Sequence, residues 1–266
     1  MLVIGYIASI VIGIALGLIG GGGSILTVPV LVYLFHVNPV VATGYSLFIV
    51  GTTSAVGSVT YFRKGLVDIQ AAIIFGIPSI LAVFATRHWL VPMIPEHLVT
   101  IGEFELTRGI FLLLVFAVLM VVASFSMIKR AKAVEYEEAA ARHFNYPMII
   151  VEGIVVGVLT GLVGAGGGFL IIPALVMLSK LPMKKAIGTS LVIIAAKSLI
   201  GFLAEANATT VDWKLLLAIT GCAIVGIFIG AEIGKRIDGD KLKPAFGWFV
   251  FVMGAYIIAK ELFFNS

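Results

Sequence analysis

Long, unbroken apolar stretches separated by short polar segments make up most of the chain. These stretches cover residues 2–19, 24–36, 40–61, 69–90, 107–128, 148–163, 168–179, 184–204, 213–234 and 244–264. Several reach about 20 residues, the length at which a helix spans the ~30 Å hydrocarbon core of a bilayer. Because the apolar positions do not alternate with period two, as they do in membrane strands, the pattern predicts an all-α, polytopic transmembrane helical bundle.

Two of the apolar stretches, 24–36 and 168–179, are too short to span a membrane. As helices they would cover only about 18–20 Å. Each follows a run of glycines, and such a run breaks a helix because glycine costs up to about 1 kcal/mol relative to alanine. We therefore expect each half of the chain to contain a Gly-interrupted, re-entrant or broken helix pair followed by three full spans.

The composition agrees with a membrane protein. The chain has 266 residues, of which 61% are hydrophobic and 12% are charged, whereas soluble domains carry roughly a quarter charged residues. No cluster of lysine and arginine is long enough to suggest nucleic acid. The single cysteine, Cys222, lies in an apolar run, where we expect a small buried residue. The sequence predicts no cofactor and no metal site.

An internal repeat emerges when the sequence is shifted by 144 residues. Residues 17–23 then coincide with 161–167, Pro29 with Pro173, and 42–47 with 186–191. A shared apolar composition would not align glycines and a proline in one frame, so the pattern indicates a duplication. The predicted organisation is a first transmembrane repeat over 1–128, an amphipathic cytoplasmic linker over 129–146, and a second transmembrane repeat over 147–266.

The basic residues predict how the two halves insert. If each Gly-interrupted pair forms a hairpin that enters and leaves on one side, about 13 of the 18 lysines and arginines lie at one face, which is then cytoplasmic. Loop 86–108, with Arg87 and Arg108, is then placed at the opposite face. Reading each pair as one broken span would move seven basic residues outside. The hairpin arrangement makes the halves inverted repeats, an architecture of secondary transporters that bind substrate near the midplane.

The Gly runs are the candidate substrate site. A short helix that starts at a Gly-rich break presents free N–H groups and a positive dipole end, which suits an anion. The alternative is that the glycines only allow close helix packing. The candidate substrate-binding residues are Gly21, Gly22, Gly23, Ser24, Thr53, Gly166, Gly167, Gly168 and Lys197.

Two of the charged residues inside the predicted spans are candidates for a function. Lys197 lies about 20 Å along its helix from the basic end, and a lysine at such depth faces a cavity or a partner unless it reaches the interface by snorkelling. We expect it to act as a counter-charge for an anion. Its equivalent in the first half is Thr53. Glu152, near the inner face, is a candidate protonation site for coupling, with a simple interfacial role as the alternative.

The repeated pattern Gly-Leu-[Ile/Val]-Gly-x-Gly-Gly-x-x-Leu-x-x-Pro, with Ala-x-Gly-x-Ser-Leu following, resembles the TauE/SafE family. In this chain the pattern spans 17–29 with 42–47, and 161–173 with 186–191. The resemblance implies a transporter of a small sulfur-containing or organic anion, such as sulfite or an organosulfonate, in a prokaryotic inner membrane.

The resulting expectation is a multi-pass secondary transporter of a small anion in the cytoplasmic membrane, and not an enzyme. Its expected partners are a small anionic solute and membrane lipid, with coupling to H+ or Na+ and a homodimer as further hypotheses. An anion channel is the main alternative. A membrane-embedded lipid-modifying enzyme is a weaker one, since its hairpin tips would carry acidic residues instead of glycines.

Overall fold

The computed structural model describes residues 2–101, 104–128, 146–164, 167–177, 181–205, 211–234 and 239–263. Nearly the whole predicted linker 129–146 and the candidate site residue Gly166 lie outside the described residues.

The described chain is almost entirely helical, in agreement with the predicted all-α class. The helices in chain order are α1 (Leu2–Ile19), α2 (Thr27–Tyr33), α3 (Pro39–Arg63), α4 (Ile69–Ala85), α5 (Val91–Met93), α6 (Arg108–Ile128), α7 (Tyr146–Val163), α8 (Gly168–Met177), α9 (Met183–Glu205), α10 (Trp213–Ile233) and α11 (Gly239–Phe263). A 3-10 turn, Gly22–Leu26, precedes α2, and a π turn, Thr86–Leu90, joins α4 to α5.

A short β-hairpin departs from the expected pattern. Strands β1 (His97–Ile101) and β2 (Phe104–Thr107) pair antiparallel in the loop between α5 and α6. This loop combines charged with β-branched residues and carries too weak an apolar pattern to reveal strands from sequence. The hairpin does not alter the helical architecture.

Equivalent residues of the two repeats start equivalent helices. Asp68 caps α4 by accepting from the Ala71 N–H, and Asp212 caps α10 by accepting from Lys214 N–H and Leu215 N–H. The backbone N–H of Asp68 donates to Thr189 Oγ1 at 2.9 Å, and that of Asp212 donates to Tyr45 Oη at 2.6 Å. Each helix start is thus tied to the other half of the chain.

The first helix of each half packs against the fourth helix of the other half, through glycines. In α1, Gly13 faces Ala223 and Gly226 of α10; in α7, the equivalent Gly157 faces Ser79 and Ala82 of α4. One turn later, Gly17 faces Ile227, and the equivalent Gly161 faces Val83 and Thr86 of the α4 segment. Both pairs run parallel with their backbones in close contact, as small residues permit.

Helices α3 and α9 are equivalent in the repeat and pack against each other antiparallel. Gly51 lies against Leu199, Leu47 against Gly201, and Tyr61 against Gly188. The midpoint of this series of contacts lies within about one residue of Thr53 on α3 and of Lys197 on α9. Thr53 and Lys197 occupy equivalent positions in the two repeats. The two candidate site residues therefore lie where the two central helices cross.

The outer surface of the bundle is apolar. Large apolar side chains such as Leu81, Val122 and Phe228 point outward and are more than half exposed, as expected of a surface that faces lipid. Four helical segments within the described residues are long and apolar enough to cross a membrane, two from each half at equivalent positions: Pro39–Arg63, Ile69–Met93, Lys184–Ala204 and Trp213–Ile233. The last predicted span of each half corresponds to α6 and α11.

Candidate functional site

The chain reverses direction at equivalent glycines after α1 and α7. Gly20 has φ +81° and Gly164 has φ +70°, a region that favours glycine because side chains with a Cβ are strained there. Each amide N–H bonds back to the preceding helix, Gly20 to Leu16 O at 2.8 Å and Gly164 to Thr160 O at 2.9 Å. We call residues 20–24 the first tip and residues 164, 167 and 168 the second tip.

The two tips touch each other. Gly21 and Gly168 are in backbone contact, so that a Cβ at either residue would overlap the other, and Ile194 of α9 closes the contact from the side. Sequence reasoning placed both glycines in the site on account of their free amides. In this structure they have a packing role as well, because only glycine allows two chain reversals to meet so closely.

The first tip is packed against apolar side chains, backbone groups and one hydroxyl group. Gly20 lies against Ile187, Ile172 and Ser190 Oγ, while Gly23 lies against the backbone of α1 near Leu16. The buried Ser24 hydroxyl donates to Gly21 O at 2.7 Å. The 3-10 turn that starts at Gly22 tightens this end of the helix, which uses up backbone donors.

The second tip carries the buried lysine. Lys197 is 1% exposed, and its Nζ donates to Thr160 Oγ1 at 3.0 Å. A Cβ placed on Gly167 would lie 2.6 Å from the same Nζ, so the ammonium group rests directly on the tip. The structure thus brings Lys197 together with Gly167, one residue before α8 begins, and excludes the snorkelling alternative for this side chain.

A second cation, which sequence reasoning placed in an outer loop, also reaches the second tip. Arg87 is 1% exposed and lies in the π turn that prolongs α4. Its Nη1 donates to Thr43 Oγ1 at 2.9 Å, and a Cβ placed on Gly164 would lie 2.6 Å from its Nη2. The sequence placed Arg87 both at the end of the apolar stretch 69–90 and in loop 86–108. In the structure the helix continues past Ala85, and the Arg87 side chain is buried.

Buried hydroxyls line the crossing of α3 and α9. Thr53, Ser54 and Ser198 are fully buried, and their hydroxyl oxygens have no hydrogen-bond partner among the described residues. Buried polar atoms normally have a partner from protein or water. This cluster is therefore a polar region at the centre of an otherwise apolar bundle, next to Lys197.

Comparison with known proteins places this architecture in a family. The family model described as sulfite exporter TauE/SafE matches residues 5–257. The chain belongs to the TauE/SafE family. A relative named probable membrane transporter protein from Xylella fastidiosa (strain 9a5c) is 33% identical over 251 residues, covering 93% of this chain and 91% of the relative.

More distant relatives bear similar names. The probable membrane transporter protein YunE of Bacillus subtilis (strain 168) is 28% identical over 280 residues, covering 97% of this chain and 99% of the relative. No solved structure matches the chain. Together, the family, the relatives and the apolar helices identify a helical membrane protein of a transporter family.

In this TauE/SafE family member the candidate coupling residue stands apart from the tips. Glu152 is partly exposed on α7, about two turns before Thr160. The neighbouring Gly153 packs against the backbone of Phe75 in α4. The structure therefore does not bring Glu152 together with Lys197, and its role in coupling stays a prediction.

A cavity of about 750 Å³ lies at one end of the bundle, where α2, α6 and α11 approach the β-hairpin. Tyr33, at the end of α2, donates its hydroxyl proton to Glu261 Oε1 at 2.9 Å, and Lys260 Nζ lies 3.9 Å from the centroid of the Tyr33 ring. The predicted site residues are not among those that line this cavity. Polar and charged groups thus hold the end of α2 against α11.

Proposed function

We propose that this chain is a secondary transporter that moves a small anion, such as sulfite or an organosulfonate, across the cytoplasmic membrane. The solute binds at the second tip, between Lys197 and the start of α8. Transport proceeds by alternating access around this site, with the two halves inserted in opposite orientations.

The observation that carries the proposal is the buried side-chain nitrogen of Lys197 beside a helix start. Taking an ammonium ion out of water costs several kcal/mol unless an opposite charge compensates it, and the hydrogen bond from Nζ goes to the neutral hydroxyl of Thr160. The nearby N-terminus of α8 is also electropositive. An anion bound between Lys197 and this helix start would interact favourably with both groups.

The symmetry of the packing supports alternating access. The equivalent helices α3 and α9 run antiparallel and cross near Thr53 and Lys197, as is expected if the halves are inverted repeats with a site between them. In such proteins the two halves exchange conformations, so that the site opens first to one side and then to the other. The contact between Gly21 and Gly168 fits a state in which the site is closed.

The test is transport by the purified protein in liposomes. We expect saturable uptake of sulfite, a sulfonate or a carboxylate, stimulated by an imposed ion gradient. Lys197→Ala should lower the transport rate at limiting solute at least about tenfold, because the loss of one partner of a buried charge pair costs 2–5 kcal/mol.

Lys184→Ala is the matched control. Lys184 lies on the same helix, near its start, and is exposed, so its replacement should leave transport unchanged. Equal transport by wild type and a folded Lys197→Ala variant would remove the lysine from the site. Flux that does not saturate and responds only to voltage and concentration would instead indicate a channel.

A further inference from the structure

We propose that Arg87 is a second cationic group of the anion site, beside Lys197, and that it makes the site selective for doubly charged oxyanions over singly charged ones. The inference deepens the proposed function and rests on it. It starts from the position of two cations on one chain reversal: Lys197 Nζ rests on Gly167, and Arg87 Nη2 rests on Gly164, three residues earlier.

The side chain of Arg87 is held in place from two directions. Its Nη1 donates to Thr43 Oγ1, and the Thr43 hydroxyl in turn donates to Val40 O at 2.7 Å, near the start of α3. From the other side, its Nη2 lies against Gly164 of the second tip, and the preceding residue, Thr86, packs against Gly161 of α7. The guanidinium therefore lies between the start of α3 and the second tip, with its Nη2 directed at Gly164.

A guanidinium and an ammonium group recognise anions differently. The planar guanidinium presents several N–H donors in a fixed fork that matches two oxygens of one oxyanion, whereas the ammonium acts as a point charge. The two groups supply about two positive charges around the tip, where the electropositive start of α8 is offset by the electronegative end of α7. A dianion with tetrahedral oxygens neutralises more of this charge than a monoanion of the same shape.

The same contacts would arise if Arg87 only stabilised the C-terminal end of α7, where cations interact favourably with the helix dipole. The two roles differ in what they predict. A stabilising role concerns the melting temperature alone, whereas a binding role also changes the preference between anions of different charge. The experiment must therefore measure selectivity as well as stability.

Sulfate and methanesulfonate are the probes, because both carry tetrahedrally arranged oxygens on sulfur but differ in charge by one. Each is added to the purified protein at constant ionic strength, and its affinity is taken from the shift in melting temperature with concentration. We expect the wild type to bind sulfate more tightly than methanesulfonate. Arg87→Gln should weaken sulfate binding about tenfold, as for a hydrogen bond to a charged group, and methanesulfonate less than about threefold.

Three further variants keep the test decisive. Arg63→Gln is the matched control, since Arg63 lies exposed at the end of α3, and it should leave both affinities unchanged. Arg87→Lys and Thr43→Val preserve most of the volume if Arg87→Gln fails to fold; both should weaken sulfate more than methanesulfonate. An unchanged ratio of the two affinities in the folded Arg87 and Thr43 variants would overturn the inference.

Transport separates this inference from the proposed function on which it rests. If wild-type protein carries anions in liposomes and the Arg87 variants keep its charge preference, only the role of Arg87 is wrong. If wild-type protein carries no anion at all, the proposed function itself fails.

Discussion

The two tips share one backbone design but differ in the side chains that surround them. At the second tip, Lys197 is bound to Thr160, and Arg87 is bound to Thr43. At the first tip the four equivalent positions hold only one polar residue and no charge: Thr53, Leu16, Ala231 and Ile187. The two cations, Lys197 and Arg87, and the two hydroxyl groups that they contact therefore belong to the second tip.

The backbones of the two tips differ as well as their surrounding side chains. The first tip continues into a 3-10 turn, and Ser24 bonds back to Gly21. The second tip leads directly into the ten-residue helix α8, whose first N–H groups have no acceptor within the helix. The two equivalent chain reversals thus share a packing role, but only the second has the buried Lys197 and Arg87 beside it among the described residues.

The largest expected effect comes from making the second tip resemble the first. Lys197→Thr should reduce transport at least about tenfold, as expected for the loss of a buried charge partner, whereas Thr53→Ala should change it less than about twofold. The double variant Thr53→Lys, Lys197→Thr moves the cation to the first tip. It should stay inactive, because Leu16 offers no hydroxyl and Ala231 stands at the position equivalent to Arg87. Activity of the double variant in liposomes would show that the tips are interchangeable.

A second prediction concerns what the tips have in common. Gly21→Ala and Gly168→Ala should each destabilise the protein by about 1–3 kcal/mol, since a methyl group at either position overlaps backbone that cannot move aside. Melting in detergent measures this. Gly221→Ala is the control, because nothing lies within 4 Å of a Cβ there, and alanine in a helix should be neutral or stabilise by up to about 1 kcal/mol. If only one tip variant destabilised the protein, the contact between the tips would not be the reason.

Sequence reasoning anticipated much of this arrangement, for reasons that individual residues make clear. The spacing of glycines and the prolines Pro29 and Pro173 revealed the repeat, because backbone reversals tolerate few other residues. The burial of Lys197 followed from its distance along an apolar helix. These features are local, so a one-dimensional pattern contains them.

Contacts between distant segments were harder to predict. Arg87 lies near Glu96 and Arg108 in sequence, and the polar neighbourhood suggested a loop, while the π turn that directs it inward has no sequence signal of its own. Nor does a pattern of glycines tell whether free amides face a solute or a second chain reversal, as Gly21 does. Such contacts depend on how helices pack, which periodicity does not encode.

A third prediction separates backbone strain from displacement of the arginine. Gly20→Ala and Gly164→Ala both place a Cβ at positive φ, which costs about 1 kcal/mol. At Gly20 the nearest atoms are side-chain ends at 3.0–3.2 Å, whereas at Gly164 they are the Thr43 backbone and Arg87 Nη2. Gly164→Ala should therefore be less stable than Gly20→Ala by about 1–2 kcal/mol and should also lose sulfate binding. Equal melting temperatures would mean that Arg87 and Thr43 adapt freely.

The smallest expected effect tests whether the second half also houses the coupling group. Glu152 lies on the helix that leads to the second tip but about two turns away, so Glu152→Gln should leave solute affinity and the rate without a pH gradient within about twofold of wild type. If its carboxyl carries a proton during transport, the glutamine variant loses the stimulation by a pH gradient, because an amide does not titrate. Glu232→Gln, on the exposed part of α10, should keep the stimulation. The equivalent of Glu152 in the first half is Ala8. If Glu152→Gln loses stimulation by the pH gradient, the two halves differ in proton coupling as well as in the charges at their tips. If it keeps full stimulation, the two halves differ only in how they bind the anion.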